Sequence, residues 1–255
     1  MTGPFESRFG QAAGDYLTFR PPYPDALFEH ILSSLPPGYR RHAMDLGAGT
    51  GNATGALLQH FAEVIAVEPD PLMAEKLREA VPRAIVHVST AEECEQAPES
   101  VDLVNCATSL HWMDVPQVMS NVTHWLRRDG IFAVYGYEFP TTPAAVQTVI
   151  REEFEQHWER FRDARLRRKE FPQSIVRAAP GLAVLEETTI PAIVPMSPHE
   201  FAGFCRSTSY GAAYSRSLTD ADSYWRDLEL RFHKAQGMDT IPVKFDFYLI
   251  LARKE

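Results

Sequence analysis

The chain has 255 residues, of which 45% are hydrophobic and 23% charged, the balance of an ordinary globular protein and a length for one large domain or for a domain with a sizeable insertion. A formal net charge of −9 argues against a nucleic-acid partner, because phosphate-binding surfaces need an excess of Lys and Arg. Cys94, Cys106 and Cys205 are odd in number and lack paired metal-type spacing, and no stretch resembles a signal peptide or a membrane span. The expected setting is a reducing cytoplasm, with no metal.

Residues 1–41 lead in with Tyr16, then Arg20-Pro21-Pro22-Tyr23-Pro24, which enforces an extended approach until a helix begins after Pro24. From His42 to about Tyr137, short apolar runs alternate with helical patterns. The runs start at Ala43, Val64, Ile85, Val101 and Ile131; the helices are expected around Thr54–Phe61, Pro71–Val81 and Val115–Leu126. Such alternation indicates βαβ units and a buried parallel sheet. Residues 143–170 show one long helical pattern with an apolar stripe of Val146, Ile150, Phe154, Trp158 and Phe161. A strand over Leu182–Ile190, helices over Ser197–Arg206 and Thr219–Gln236, and a last strand over Val243–Ala252 follow. The expected divisions are 1–41, an N-terminal covering segment; 42–142, the core; and 143–255, helical cover with the last two strands.

The segment Asp45-Leu46-Gly47-Ala48-Gly49-Thr50-Gly51 follows the first strand and opens the first helix. Its glycines permit a sharp turn and close approach to a ligand. A dinucleotide fingerprint would put its third glycine where Asn52 stands, and Asp45 would repel a pyrophosphate. An acidic residue there suits a ligand with an ammonium group, such as the amino-acid end of S-adenosylmethionine. Glu68-Pro69 closes the second strand, placed to accept hydrogen bonds from both ribose hydroxyls. Thr90-Ala91 follows the third strand, where an adenine edge would lie, and His111-Trp112 follows the fourth. Ligands of open α/β sheets bind outside the carboxyl ends of the strands, where all four segments fall.

These four segments together resemble the class I methyltransferases of the type 11 group. Tyr16, Arg20-Pro-x-Tyr-Pro and the later His-Trp are similar to a subset that includes relatives of trans-aconitate methyltransferase. The resemblance covers about residues 9–137, and beyond them only the final-strand pattern. It implies a Rossmann-like seven-stranded, mostly parallel α/β sheet flanked by helices, with the last strand antiparallel and a helical substrate cover. It implies S-adenosylmethionine as cofactor and S-adenosylhomocysteine as product. Asp45 would sit near the methionine end, Gly47, Ala48 and Gly49 against the cofactor, Glu68 and Pro69 at the ribose, and Thr90 and Ala91 beside the adenine. Tyr16 and Arg20 would fold over it, Arg20 toward its carboxylate.

Each residue also has a plain structural alternative: Asp45 caps the turn, Arg20 lies on the surface, and Glu68 is an ordinary strand-end residue. A sulfonium methyl is already activated, so alignment of the nucleophile is the main task and a general base is optional. His111 is the candidate for that base, or else it hydrogen-bonds a loop and holds Trp112 in place. The run Arg160, Arg162, Arg165, Arg167, Arg168 and Lys169 reads as a salt-bridged helix face, with Glu159–Arg162 and Asp163–Arg167 at pairing distance. Arg206 and Tyr210 are candidates for contact with a polar acceptor. The expected function is methyl transfer to a small molecule bearing a carboxylate or hydroxyl. The rivals are a non-catalytic binder of the same cofactor and a nicotinamide-dependent oxidoreductase.

Overall fold

The computed structural model describes residues 13–167 and 172–255. Its elements are α1 (Ala13–Phe19), α2 (Asp25–Ser34), β1 (His42–Leu46), α3 (Asn52–Leu57), β2 (Glu63–Val67), α4 (Pro71–Ala80), β3 (Ile85–His87), β4 (Val101–Ala107), α5 (Val115–Trp125) and β5 (Leu126–Tyr137). Then come α6 (Ala144–Glu153), α7 (Gln173–Ala178), β6 (Leu182–Met196), α8 (Pro198–Ser207), α9 (Ser209–Ser217), α10 (Ala221–Gln236) and β7 (Ile241–Lys254). One seven-stranded sheet has the order β3-β2-β1-β4-β5-β7-β6. β1 pairs in parallel with β2 and β4, β2 with β3 and β4 with β5, whereas β7 runs antiparallel to β5. The Rossmann-like α/β fold expected of the sequence is the one observed.

The chain divides into two compact units. One comprises residues 22–137, 168–190 and 247–255. Here β1 and β4 are buried along nearly their whole length, as strands covered on both faces must be. Met44, Leu46, Val104, Phe132 and Ile250 meet Val118, Val122 and Trp125 of α5 in its core. Asp102 is the polar exception within β4. Its carboxylate accepts the amides of Arg41 and His42 at 2.8 and 3.0 Å and the Arg127 guanidinium at 2.8 Å, so the buried charge is satisfied.

The other unit comprises residues 1–21, 138–167 and 191–246, and its core is aromatic. Phe201 stacks on Phe204 with centroids 6.0 Å apart, and Phe154 packs edge-on to Trp158 at 5.2 Å. Buried Glu153 accepts from Tyr224 and Arg231, which ties α6 to α10.

Three details depart from the sequence expectation. The pattern over 143–170 is not one helix: α6 gives way to a π-turn at Phe154–Trp158 and then to two 3-10 turns, Glu159–Phe161 and Ala164–Arg167. Trp158 at the end of the π-turn is buried, and Asp163 holds the Arg165 guanidinium through bonds of 3.0 and 2.9 Å, while the side chain of Arg167, the expected partner of Asp163, lies outside the described residues. Arg168 and Lys169 lie outside the described residues. α9 was not anticipated; it starts where the Thr208 hydroxyl accepts the amide of Gly211. β6 runs past Pro191 and Pro195 to Met196, which an edge strand allows because its outer amides need no partner.

Candidate functional site

β1 ends in a turn with three left-handed glycines, Gly47 at φ 66°, Gly49 at 59° and Gly51 at 96°. Only glycine adopts this run without strain. The amides of Gly47 and Ala48 both donate to the carbonyl of Val67, at 2.9 and 3.1 Å. The next free amide, Gly49, donates to Glu68 Oε2 at 2.8 Å, and the second Glu68 oxygen accepts the Asp70 amide at 2.9 Å. The end of β2 therefore holds the turn by three bonds. Glu68 is nearly buried, and burial outweighs those two bonds, so its carboxyl is pushed up to about 7.

Asp45 lies fully buried beneath the same turn. Its Oδ2 accepts from the Thr54 hydroxyl at 2.6 Å and its Oδ1 from the Asn105 amide at 2.8 Å, which joins β1, α3 and β4. Burial raises its pKa in spite of both bonds. Asp45 thus supports the turn from behind. Thr54 and Asn105, its two partners, were not singled out in the sequence; a polar residue within the apolar run Leu103-Val104-Asn105-Cys106 was the available signal.

Ser109 is a third residue that sequence reasoning missed. Its hydroxyl donates to Leu46 O at 2.7 Å, and its side chain lies so close to Gly47 that a Cβ there would sit 2.6 Å from Ser109 Cβ. Thr50, inside the turn, is buried, and its hydroxyl has no hydrogen-bond partner among the described residues.

Farther along the strand ends, the Thr90 hydroxyl accepts the Glu93 amide at 3.2 Å, and the Ala91 carbonyl accepts from Asn121 at 3.0 Å. Pro69 is half-buried between Glu68 and the helix-capping Asp70. His111 and Trp112 lie half-buried in a 3-10 turn, Leu110–Trp112, their rings 4.7 Å apart and tilted by 51°. Asp45, Gly47, Ala48, Gly49, Glu68, Pro69, Thr90, Ala91 and His111 all fall in one compact unit, at or just beyond the carboxyl ends of β1 to β4.

Tyr16 and Arg20 belong to the other unit. The Arg20 guanidinium packs 4.9 Å from the Tyr16 ring centre and 5.1 Å from that of Phe204, and it donates to Ser207 O at 3.1 Å. Arg206 in that unit is committed to Asp15 at 2.6 Å, and Tyr210 is buried against Phe154 at 5.1 Å. Cys106 is fully buried, and burial pushes its thiol up to about 12, which suits a core residue and not a nucleophile. Among the described residues no group of three His, Cys, Asp or Glu side chains could hold a metal ion, and no helix is long and apolar enough to cross a membrane.

The chain is similar to known proteins over part of its length and, in some cases, nearly all of it. Residues 44–134 match the family described as "Methyltransferase domain". A Dictyostelium discoideum protein named as a methyltransferase is 28% identical over 98% of this chain and 96% of its own length. An uncharacterised methyltransferase of Mycobacterium tuberculosis is 38% identical over 48% of this chain, and the match spans about half (49%) of that relative. A Saccharomyces cerevisiae protein named as an S-adenosylmethionine-dependent methyltransferase is 34% identical over 53% of this chain and 50% of its own. The solved structure of a type II methyltransferase from Anaeromyxobacter dehalogenans shares the fold, with a TM-score of 0.74 at 24% identity over 92% of this chain and 98% of that one. Residues 44–134 thus carry a methyltransferase domain, within a Rossmann-like fold shared with a solved methyltransferase structure.

Proposed function

We propose that the chain binds S-adenosylmethionine over its glycine turn and transfers the methyl group to a small molecule bearing a carboxylate or hydroxyl. The observation that carries this reading is the Thr50 hydroxyl. It is buried and has no hydrogen-bond partner among the described residues, inside a turn that carries three left-handed glycines. A buried hydroxyl left unpaired is costly, so a polar ligand at the turn accounts for it. The residues around it fit that ligand: small at Gly47, Ala48 and Gly49, acidic at Glu68 where ribose hydroxyls would donate, and Thr90-Ala91 at the adenine end.

When bound, S-adenosylmethionine supplies an activated sulfonium methyl. The protein's part is then to orient and to exclude water, which is worth on the order of 7–11 kcal/mol when an acceptor is held in line. Glu68, ionised above its raised pKa, accepts the two hydroxyls in place of the Gly49 and Asp70 amides or alongside them. Asp45, Thr54 and Asn105 hold the turn from below. His111 holds the turn that carries Trp112, the role favoured over a general base because the methyl needs alignment more than proton removal.

Similarity to relatives of trans-aconitate methyltransferase motivates a carboxylate acceptor. The test is methyl-labelled S-adenosylmethionine with trans-aconitate and a panel of carboxylic and hydroxylated acids. Labelled product with one of them supports the reading; binding of the donor with no transfer to any acceptor favours the non-catalytic binder. Nothing in the turn supports the nicotinamide alternative: Asn52 starts α3 where the third fingerprint glycine would stand.

A further inference from the structure

Three non-glycine residues among those described have positive φ: Glu99, Asp129 and Thr108. Glu99 and Asp129 are exposed. Thr108 differs: it is half-buried, at φ 57°, and directly follows β4. Its branched Cβ makes the left-handed region a genuine outlier, since only short polar residues and glycine visit it with ease. Such conformations persist only where the surroundings over-determine them.

The surroundings do so here. The Thr108 amide donates to Tyr135 O at 2.8 Å, and its hydroxyl is 3.1 Å from the Tyr23 hydroxyl. Tyr23 is itself held edge-on against Tyr135 at 4.9 Å. Beneath them lies Gly136, whose missing Cβ would come within 3.2 Å of the Thr108 hydroxyl and 2.7 Å of the Tyr248 hydroxyl. Glycine at 136 therefore makes the room in which these hydroxyls gather. On its other side Thr108 leads into Ser109, which bonds Leu46 and covers Gly47, and Ser109 O then accepts the Trp112 amide at 2.9 Å. The reversal at Thr108 is thus the point where the chain leaves β4 and is laid against the glycine turn.

We propose that Thr108 is a positioning residue: its left-handed backbone, locked by the Tyr23–Thr108 hydroxyl pair over Gly136, fixes the turn that carries His111 and Trp112. Its value for methyl transfer rests on the function proposed above; the positioning itself does not. Thr108 would touch neither donor nor acceptor and would act through His111 and Trp112.

Trp112 provides the readout. The chain has four tryptophans, and Trp125, Trp158 and Trp225 are buried, so acrylamide quenching reports chiefly on half-buried Trp112. Thr108→Val keeps the branched shape and removes the hydroxyl; Tyr23→Phe removes the partner oxygen. Each should raise the quenching constant by about twofold, and the double variant no further, because the two changes break one interaction. Thr108→Ser, which restores the hydroxyl, should quench as the unaltered protein does. A merely structural role would lower the melting temperature and leave quenching of the folded state unchanged. Unchanged quenching in both single variants, or additive effects in the double one, would overturn the proposal. Calorimetry with S-adenosylhomocysteine on the same proteins separates the two claims. Absence of binding by the unaltered chain would refute the donor site, while the quenching result would still decide the role of Thr108.

Discussion

Glu68 and Gly49 are joined by a 2.8 Å bond from the turn amide to a nearly buried carboxylate, so the residue expected to meet the ribose is also a fastening of the glycine turn. The carboxyl end of β2 thus carries one group with two tasks. Glu68→Ala should weaken S-adenosylmethionine binding by roughly 10- to 150-fold, the worth of about 1.5–3 kcal/mol for charged hydrogen bonds. It should also lower the melting temperature, since the Gly49 and Asp70 amides lose their acceptor. Calorimetry and a thermal melt on one variant check both; unchanged affinity removes Glu68 from the site.

The raised pKa of Glu68 makes this pH-dependent. Its folded value of about 7 lies above the ordinary 4.5, so the folded state holds the proton more tightly than the unfolded chain. The resulting stability is fully present below pH 4.5 and is lost as pH rises through about 7. The difference is worth up to about 3 kcal/mol for this group, and Asp45, also raised, acts in the same direction. Donor affinity should move the opposite way, rising through pH 7 as the carboxylate ionises. Denaturant melts between pH 5 and 8 should show a shallower decline in Glu68→Gln, and its affinity should be flat with pH. Equal slopes in the two proteins would contradict the assignment.

Asp45 gives a stability prediction free of any ligand. Asp45→Ala leaves the Thr54 hydroxyl and the Asn105 amide unsatisfied in the core, at about 1–3 kcal/mol each. Asp45→Asn keeps an acceptor and should lose less. The order of the two melting temperatures is the check.

Much of this was legible in the sequence, for definite reasons. The parallel strands announce themselves as short apolar runs because they are buried on both faces. The glycines, Glu68 and His111 fall at strand ends that the βαβ pattern locates. The supports of the site were not legible. Thr54, Asn105 and Ser109 act through contacts between β1, α3 and β4 that no local pattern encodes, and the reversal at Thr108 falls on a residue type that ordinarily avoids it. The π-turn at Phe154–Trp158 was missed because an apolar stripe at three- and four-residue steps looks the same whether or not the helix widens.

His111 separates two roles. If it holds the Trp112 turn, His111→Ala should lower donor affinity and melting temperature together. A variant with native affinity and stability, but methyl transfer slowed about 10²- to 10⁴-fold in a single turnover, would instead mark a general base.

The most direct test of the account is a calorimetric titration of S-adenosylhomocysteine into the unaltered chain and into Gly49→Val. Gly49 has a left-handed backbone at φ 59°, beside the Thr50 hydroxyl that has no partner among the described residues, so a branched side chain there fills the space assigned to the ligand. Saturable one-to-one binding to the unaltered protein, and none to the variant while its circular dichroism stays native, is the expected result. A folded Gly49→Val that binds with native affinity, or an unaltered chain that does not bind, would contradict the claim that this turn is the donor site.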